Sequence, residues 1–482
     1  MGTLSKGGLI GRILNSKALG VILAIIQTVI TLIFLAIVIK LGVIPSKYFI
    51  PMAVILLLLL GFTFFSQISF RNRIFGKFLS IFMCLILAPG CYYLNMTQSL
   101  LTGISREYTK VDDVSVIVLK EDPAQSISDT AGYLFGIQEV LDRENTDKTI
   151  ERLNEDLGIE VKTQAYDDLS LQVDALYGGE VDAIILNEAY RDTVKETFKD
   201  FDERTRLLTS HQFEMPVEIE ASDKDVTLEP FNVYISGIDT YGPIRRTSRS
   251  DVNIIATVNP ETKRILLTTT PRDYYVPFPI SGGLRDKLTH AGVYGIDVSI
   301  GTLEDLYDIE IDYYVRVNFD SLIKMVDALG GIDVDSEYAF KSGGYSFNKG
   351  INQLNGAQAL AFSRERYAFA SGDNQRGKNQ MAVIKGMIEK AMSPAIITNY
   401  SKILDGLSES FETNMSPNDM TSLIRMQIDD MSPWDIKSNN VTGKGAMKTT
   451  YTYRKRNLYV AIPDESSLEA ARDMIKGVFE GE

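Results

Sequence analysis

The chain has 482 residues and carries 63 acidic against 49 basic side chains. That balance argues against a nucleic acid as the main partner, because a phosphate backbone is bound through a basic face. Two cysteines and two histidines rule out a disulfide framework and a histidine-rich zinc site, and the length suits about three domains.

The charge is unevenly spread. Residues 1–100 contain no Asp or Glu and eight basic residues, Lys6, Arg12, Lys17, Lys40, Lys47, Arg71, Arg73 and Lys77. The rest of the chain holds 41 basic and 63 acidic residues. The basic part contains three apolar runs, 18–39, 48–65 and 78–94, each near the ~20 residues that cross a hydrocarbon core. The first exceeds the ~7–15-residue apolar region of a cleavable signal peptide, and no small-residue cleavage site separates it from the second. Three uncleaved membrane helices are therefore expected, the third containing Cys84, Pro89, Gly90 and Cys91. Three basic residues precede the first run and three lie in "RNRIFGK" after the second, against Lys40 and Lys47 between them. The N-terminus and the second loop should face the cytoplasm, with everything after the third run outside.

From 111 to 219 the pattern predicts a small parallel α/β accessory domain. "VSVIVLK" (114–120) reads as a strand, "AGYLFGIQEVLDR" (131–143) as a helix, and "IEVKTQAY" (159–166) as a strand. "LSLQVDALYGG" (169–179) is a helix and "VDAIILN" (181–187) a strand. It has no phosphate-cradling glycine loop and no nucleophile elbow, so it reads as a structural or docking module. The polar 218–230 stretch reads as a linker.

A larger α/β unit occupies 228–482, long enough to bury its own core. "FNVYISGID" (231–239) is a strand, and residues 251–276 are two strands joined at an Asn-Pro-Glu-Thr turn. Phe319, Leu322, Ile323, Val326 and Leu329 recur at helical spacing before Gly330 and Gly331, which stop that helix. A strand follows at 331–340, helices at 355–362 and 379–392, and a late strand at 456–463.

Charged residues gather where these strands end. Asp239 follows the first, "RTSRSD" supplies Arg246, Arg249 and Asp251, and "TTPRDYY" supplies Arg272 and Asp273. "SRERYAFASGDNQRGKNQ" (363–380) adds Arg364, Arg366, Asp373, Arg376 and Gln380. Ligands of α/β folds favour such strand ends and helix N-termini. Arg364 and Arg366 share one side of an extended backbone. Arg376 and Gln380 share one face of a helix beginning near Asp373. Guanidinium groups bind phosphate oxygens in pairs and stay charged. Asp239 and Asp251 beside them suit Mg²⁺ or Mn²⁺ bridging a pyrophosphate. From the residues alone, a phosphate site and ordinary surface ion pairs stay equally open. Asp373 reads equally well as a helix cap, and His290 as a structural residue.

The blocks "SGID…RTSRSDVNIIATVNP…TTPRDYYV", "DKLTHAGVYG", "YYVRVNFDSLIKMVDALGGIDVD" and "GINQLNGAQALAFSRER…GDNQRGKNQ" occur in order over 228–395. They closely resemble the LytR–CpsA–Psr family of wall-assembly enzymes. The three spans and the extra α/β domain look like the CpsA members of streptococcal capsule loci. The resemblance implies an α/β catalytic domain with a central mixed sheet flanked by helices, and an Mg²⁺-dependent phosphotransferase. Such an enzyme moves capsular polysaccharide from a polyprenyl-pyrophosphate carrier, held in an apolar tunnel, to peptidoglycan outside the cell membrane.

By motif position, Asp239 and Asp251 would hold the metal. Arg249, Arg272, Arg364, Arg366, Arg376 and Gln380 would contact phosphates, joined by Lys287, and Asp373 would orient an arginine. Asp251 and Arg272 would be catalytic, Asp251 as metal ligand or as base. Other capsule-assembly proteins stay open as partners. Two rival readings use the same motifs: a phosphatase of lipid pyrophosphates, and a regulatory or scaffold protein that binds the lipid-linked precursor. One departure stands out. Many relatives have a basic residue before the motif's Gln, where this chain has Asn379, and Lys378 points about 100° away on a helix.

Overall fold

A computed structural model describes residues 16–68, 72–104, 108–217, 219, 222–238, 244–393 and 411–482. Asp239 of the predicted metal pair, and Lys6, Arg12 and Arg71 of the topology argument, lie outside the described residues. The chain divides into two compact units, Met1–Gly103 with Ser416–Ser432, and Ile104–Met415 with Pro433–Glu482.

In the first unit, helices Lys17–Leu41, Ser46–Ser66 and Arg73–Ile104 are each long and apolar enough to cross a membrane. The first, with 25 residues, is about 38 Å long at ~1.5 Å per residue, more than a ~30 Å hydrocarbon core needs. It starts at Ser16, whose Oγ accepts from the Leu19 N–H, and ends at Gly42, where a φ of 67° lets the backbone turn back onto Val38. Pro89 lies inside the third helix, which continues to Ile104, a placement that membrane helices tolerate. Leu58, Phe65 and Leu85 stand exposed, as lipid-facing side chains do. Helix Pro417–Asp430 belongs to the same unit, and Asp429 pairs with Lys47 at 3.1 Å.

The second unit is built on two main sheets. The earlier in sequence has the order Lys162–Tyr166, Leu134–Gln138, Ala183–Asn187, Tyr108–Leu119, Thr205–Val217. Three of its strands run parallel, but Tyr108–Leu119 is antiparallel to both neighbours, so the sheet is mixed where a parallel one was expected. The helix expected over 131–143 does not form. Leu134–Gln138 is a strand with Phe135 and Ile137 buried between two partners, and the helix begins at Arg143. A central position in a sheet favours such β-branched and aromatic residues over the local periodicity. The 13-residue edge strand Thr205–Val217 was not foreseen, because its exposed face interrupts the apolar pattern.

The second sheet has the order Glu412–Thr413, Tyr313–Val317, Phe231–Ile238, Ser250–Asn259, Arg264–Thr269, Asp435–Asn440. Tyr313–Val317 is parallel to Phe231–Ile238, which is antiparallel to Ser250–Asn259, so this sheet is mixed, as expected. Alternation sends Tyr234, Ile255 and Leu266 into a core with helices Leu288–Tyr294, Ile296–Tyr307 and Glu465–Phe479 on one face. The other face carries helix Asp373–Ala391; Gly356–Arg364 packs onto it and Phe319–Ala328 onto Gly356–Arg364, with Val326, Ala359, Phe362 and Val383 in one core. Gly356 is required here: a Cβ would lie 2.3 Å from the Ile323 carbonyl oxygen.

The first sheet and its helices share a core with helix Leu288–Tyr294 and with residues 453–458. Val173, Val194 and Phe198 cluster with Val293, Tyr453 and Leu458. Asp168 accepts the Arg454 and Lys455 N–H groups at 2.6 and 2.9 Å, and the Tyr453 hydroxyl donates to the Thr193 carbonyl at 3.0 Å.

Candidate active site

Antiparallel pairing explains why residues distant in sequence meet. Ile254 lies opposite Thr269, so the start of Ser250–Asn259 sits beside the end of Arg264–Thr269. Arg249 and Asp251 come from the first place and Arg272 from just beyond the second. Tyr313–Val317 ends at the same edge, where Asn318 caps helix Phe319–Ala328 by accepting the Ser321 N–H at 2.9 Å. Helix Gly356–Arg364 delivers Arg364 at its last residue, and an extended step through Glu365 then delivers Arg366. Arg376 and Gln380 come from the first turns of Asp373–Ala391.

Between the second sheet and its helices lies a cavity of about 620 Å³. Its walls are apolar, with Ile235, Val315, Leu322, Met325, Leu360 and Val383 among them. Asp251, Arg272, Arg364, Arg366, Arg376 and Gln380 also line it. Six of the ten residues assigned a role by motif position thus meet at an apolar pocket. Arg364 and Arg366 both line the cavity, but Arg364 ends a helix and only Glu365 is extended, so the extended backbone expected through both arginines does not form.

Asp251 is 9 % exposed and accepts from Thr289 Oγ1 at 2.7 Å and from Arg272 Nη1 at 2.8 Å. Burial raises its pKa, but Arg272, Arg249 and the Thr289 hydroxyl outweigh that and hold it below the ordinary carboxylate range. A carboxylate held that low is a weak proton acceptor at neutral pH. Burial opposes the Arg272 charge too, and Asp251 with Asp273 more than restores it. Asp373 pairs with Arg376 one turn along the helix, while Gly372 occupies the cap position. The Arg364 guanidinium stacks on the Phe319 ring at 4.2 Å, and Arg366 donates to the Tyr367 hydroxyl at 2.6 Å.

Among the described residues, no group of three or more His, Cys, Asp or Glu side chains forms a metal cluster. Mg²⁺ needs only one or two protein carboxylates when phosphates complete its shell. The Asp251 oxygens each accept one hydrogen bond and keep a second lone pair, so this donor fits such an ion.

Arg249 and Lys287 face a second, polar cavity of about 530 Å³, which shares Arg272 and Arg366 with the first. Both are engaged by Glu196, whose oxygens lie 2.7 Å from each. Sequence reasoning missed Glu196. It sits on helix Arg191–Thr197, 53 residues before Arg249, and no local pattern marks it. His290 is buried, its Nδ1–H donating to Asp286 at 2.7 Å, while Asp286 also accepts the Thr452 N–H and hydroxyl at 2.7 and 2.6 Å. Its expected structural role fits these contacts. Asn379 points away from both cavities. It is 3 % exposed, donates to the Phe362 carbonyl at 3.3 Å and accepts from Gln375 at 3.2 Å. Lys378 pairs with Glu337 at 3.2 Å and does not reach the arginines' cavity.

A profile of the LytR–CpsA–Psr family matches residues 193–469. It therefore begins inside the helix that carries Glu196, upstream of the 228 boundary read from the motifs. The polyisoprenyl-teichoic acid–peptidoglycan teichoic acid transferase TagU of Enterococcus faecalis is 37 % identical over 230 residues, 47 % of this chain and 75 % of that protein. TagU of Bacillus subtilis is 36 % identical over 230 residues, 47 % of this chain and 69 % of that protein. The crystal structure of Bacillus subtilis TagV aligns over 52 % of this chain and 98 % of its own, at 29 % identity and a TM-score of 0.44.

Proposed function

The chain belongs to the LytR–CpsA–Psr family, and from that premise we propose that it is a membrane-anchored phosphotransferase. It moves a glycopolymer, capsular polysaccharide in the fuller reading, from a polyprenyl-pyrophosphate carrier to peptidoglycan outside the cell. The TagU relatives, named as transferases of polyisoprenyl-linked teichoic acid to peptidoglycan, support the reaction class. One observation carries the reading for this chain. An apolar cavity of about 620 Å³ is edged by Arg272, Arg364, Arg366 and Arg376, which suits a molecule with a hydrocarbon tail and a doubly charged phosphate head.

In this reading the lipid tail lies among Val315, Leu322, Met325 and Val383, and the pyrophosphate lies among the arginines. An acceptor hydroxyl attacks the sugar-proximal phosphorus and loses its proton to water, the bond to the bridging oxygen breaks, and polyprenyl phosphate leaves. Charge builds on that leaving group, and fixed guanidinium donors stabilise it where it forms. Asp251 anchors Arg272 and offers oxygen to a divalent cation; Asp239 is the proposed second ligand. A bound Mg²⁺ would polarise the phosphoryl oxygens and neutralise part of their charge. The depressed Asp251 pKa favours the anchoring role over that of general base.

The three apolar helices would confine the enzyme to the bilayer that holds its donor, raising their effective concentration. The Lys47–Asp429 pair agrees with an odd number of spans between the first loop's side and the N-terminus, and the basic residues around the spans supply the proposed orientation.

The test is lipid retention by the purified full-length protein. Polyprenyl phosphate is expected to co-purify with the wild type in amounts visible by mass spectrometry. Arg272→Ala and Arg364→Ala should each lower it about 10–100-fold, the worth of one charge-assisted contact. Absence of any polyprenyl phosphate from the wild type would contradict the reading.

A further inference from the structure

The second, polar cavity has one wall from sequence that precedes the motif blocks, and being the one without the apolar walls it is called the outer cavity. Helix Arg191–Thr197 contributes Asp192, Lys195 and Glu196 to it. Glu196 bridges Arg249 and Lys287, and His290 Nε2 lies 4.0 Å behind its carboxylate. His290 is 1 % exposed, and this nitrogen has no hydrogen-bond partner among the described residues. The apolar core joining Val194 and Phe198 to Val293 and Tyr453 holds the helix in place. Burial works against the Glu196 charge, but His290, Lys287 and Arg249 outweigh it and lower its pKa.

Glu196 therefore neutralises two cations that the motifs assigned to phosphate. Across the cavity, Lys195, Arg249, Arg272, Lys287 and Arg366 are nearly balanced by Asp192, Glu196, Asp273 and Asp373. A polyanion gains little from such a wall. Interleaved donors and acceptors suit hydroxyl groups, each of which both donates and accepts. Tyr459, 54 % exposed, adds a ring to the same wall, an apolar body with a polar tip against which a pyranose face can lie.

We propose that this outer cavity is a subsite for an uncharged, hydroxyl-rich sugar, and that Glu196 is the residue that selects it. The proposal rests on the phosphotransferase reading, since the shared Arg272 and Arg366 set the sugar next to the pyrophosphate. The sugar belongs either to the donor, as the unit bonded to pyrophosphate, or to the peptidoglycan acceptor.

The test measures KM for each substrate with the full-length enzyme, using a synthetic polyprenyl-pyrophosphate oligosaccharide and a peptidoglycan fragment. E196Q should raise one KM about tenfold, the loss of one charge-assisted hydrogen bond. E196D should recover part of it, and retention of sugar-free polyprenyl phosphate should stay at the wild-type level. A rise confined to the acceptor assigns the cavity to the acceptor, and one confined to the donor assigns it to the donor's sugar; either supports the proposal. Y459A, at an exposed position that does not threaten folding, should move the same KM. Unchanged KM values in both E196Q and Y459A, or a fall in kcat alone, would overturn it. So would loss of polyprenyl phosphate from E196Q. A wild type that retains no polyprenyl phosphate would instead refute the phosphotransferase reading.

Discussion

Substituting Asp251 with Asn removes one charge and little shape, which isolates the electrostatic part of the site. The carboxylate is buried and accepts from Arg272 at 2.8 Å and Thr289 at 2.7 Å. Without it, Arg272 keeps Asp273, 3.9 Å from its Nε, with Asp373 and Glu196 acting on its charge from further off. Breaking a buried pair by removing one partner costs roughly 3–5 kcal/mol. The surviving Asp273 contact places the expected loss at the lower end, about 3 kcal/mol. For a unit of this size that corresponds to a fall of about 4 °C in melting temperature.

The pH dependence follows from the direction of the Asp251 shift. Its folded pKa is depressed, so its stabilisation is fully present above the unfolded value near ~3.9 and is lost as pH falls through the folded value. The gap between wild type and D251N should be constant from neutral pH down to about 5 and begin to close below about 4. The assay is thermal unfolding of the detergent-solubilised full-length protein, followed by circular dichroism across that range. D251N/R272Q should cost less than the sum of the single variants, because the pair is coupled. A gap near zero at pH 7, or one that widens on acidification, would refute the reasoning.

Two further outcomes follow from the cavity and its neighbours. Met325→Trp puts a larger ring into the apolar wall and should reduce retained polyprenyl phosphate at least about tenfold, with binding of inorganic pyrophosphate by titration calorimetry unchanged. Equal lipid retention would mean that the tail lies elsewhere. Asn379→Lys should not restore a phosphate contact. It buries a charge at a position 3 % exposed and should cost about 2 kcal/mol or more in a denaturation curve, with no gain in lipid retention. A gain in retention at unchanged stability would contradict the placement of Asn379.

The parts of this protein that read directly from sequence are those whose physics is local. The three spans follow from long apolar runs, and the helix through Phe319 and Val326 follows from its spacing and the two glycines that end it. Arg376 and Gln380 share a cavity because a helix puts residues four apart on one face. Non-local contacts were harder to see. Residues 134–138 read as helix until two flanking strands fix them in a sheet. The antiparallel edge of the first sheet depends on strand 205–217, whose polar exposed face hides it. Arg249 and Lys287 were recognisable as cations, but not their counter-ion. Glu196 reaches them only because an apolar interface carries its helix to the site, and nothing in the local sequence around it records that. Asn379 shows the converse: its identity suggested a missing contact, while its contacts show it turned into the core.

The central claim is a transfer from lipid to wall, and product analysis tests it most directly. Purified full-length enzyme, a labelled polyprenyl-pyrophosphate oligosaccharide and a peptidoglycan acceptor should yield polyprenyl phosphate and phosphodiester-linked glycan in equal amounts. Both products should fall together in Arg364→Ala. Release of lipid phosphate with the glycan phosphate left free in water would instead make this site a pyrophosphatase and contradict the account.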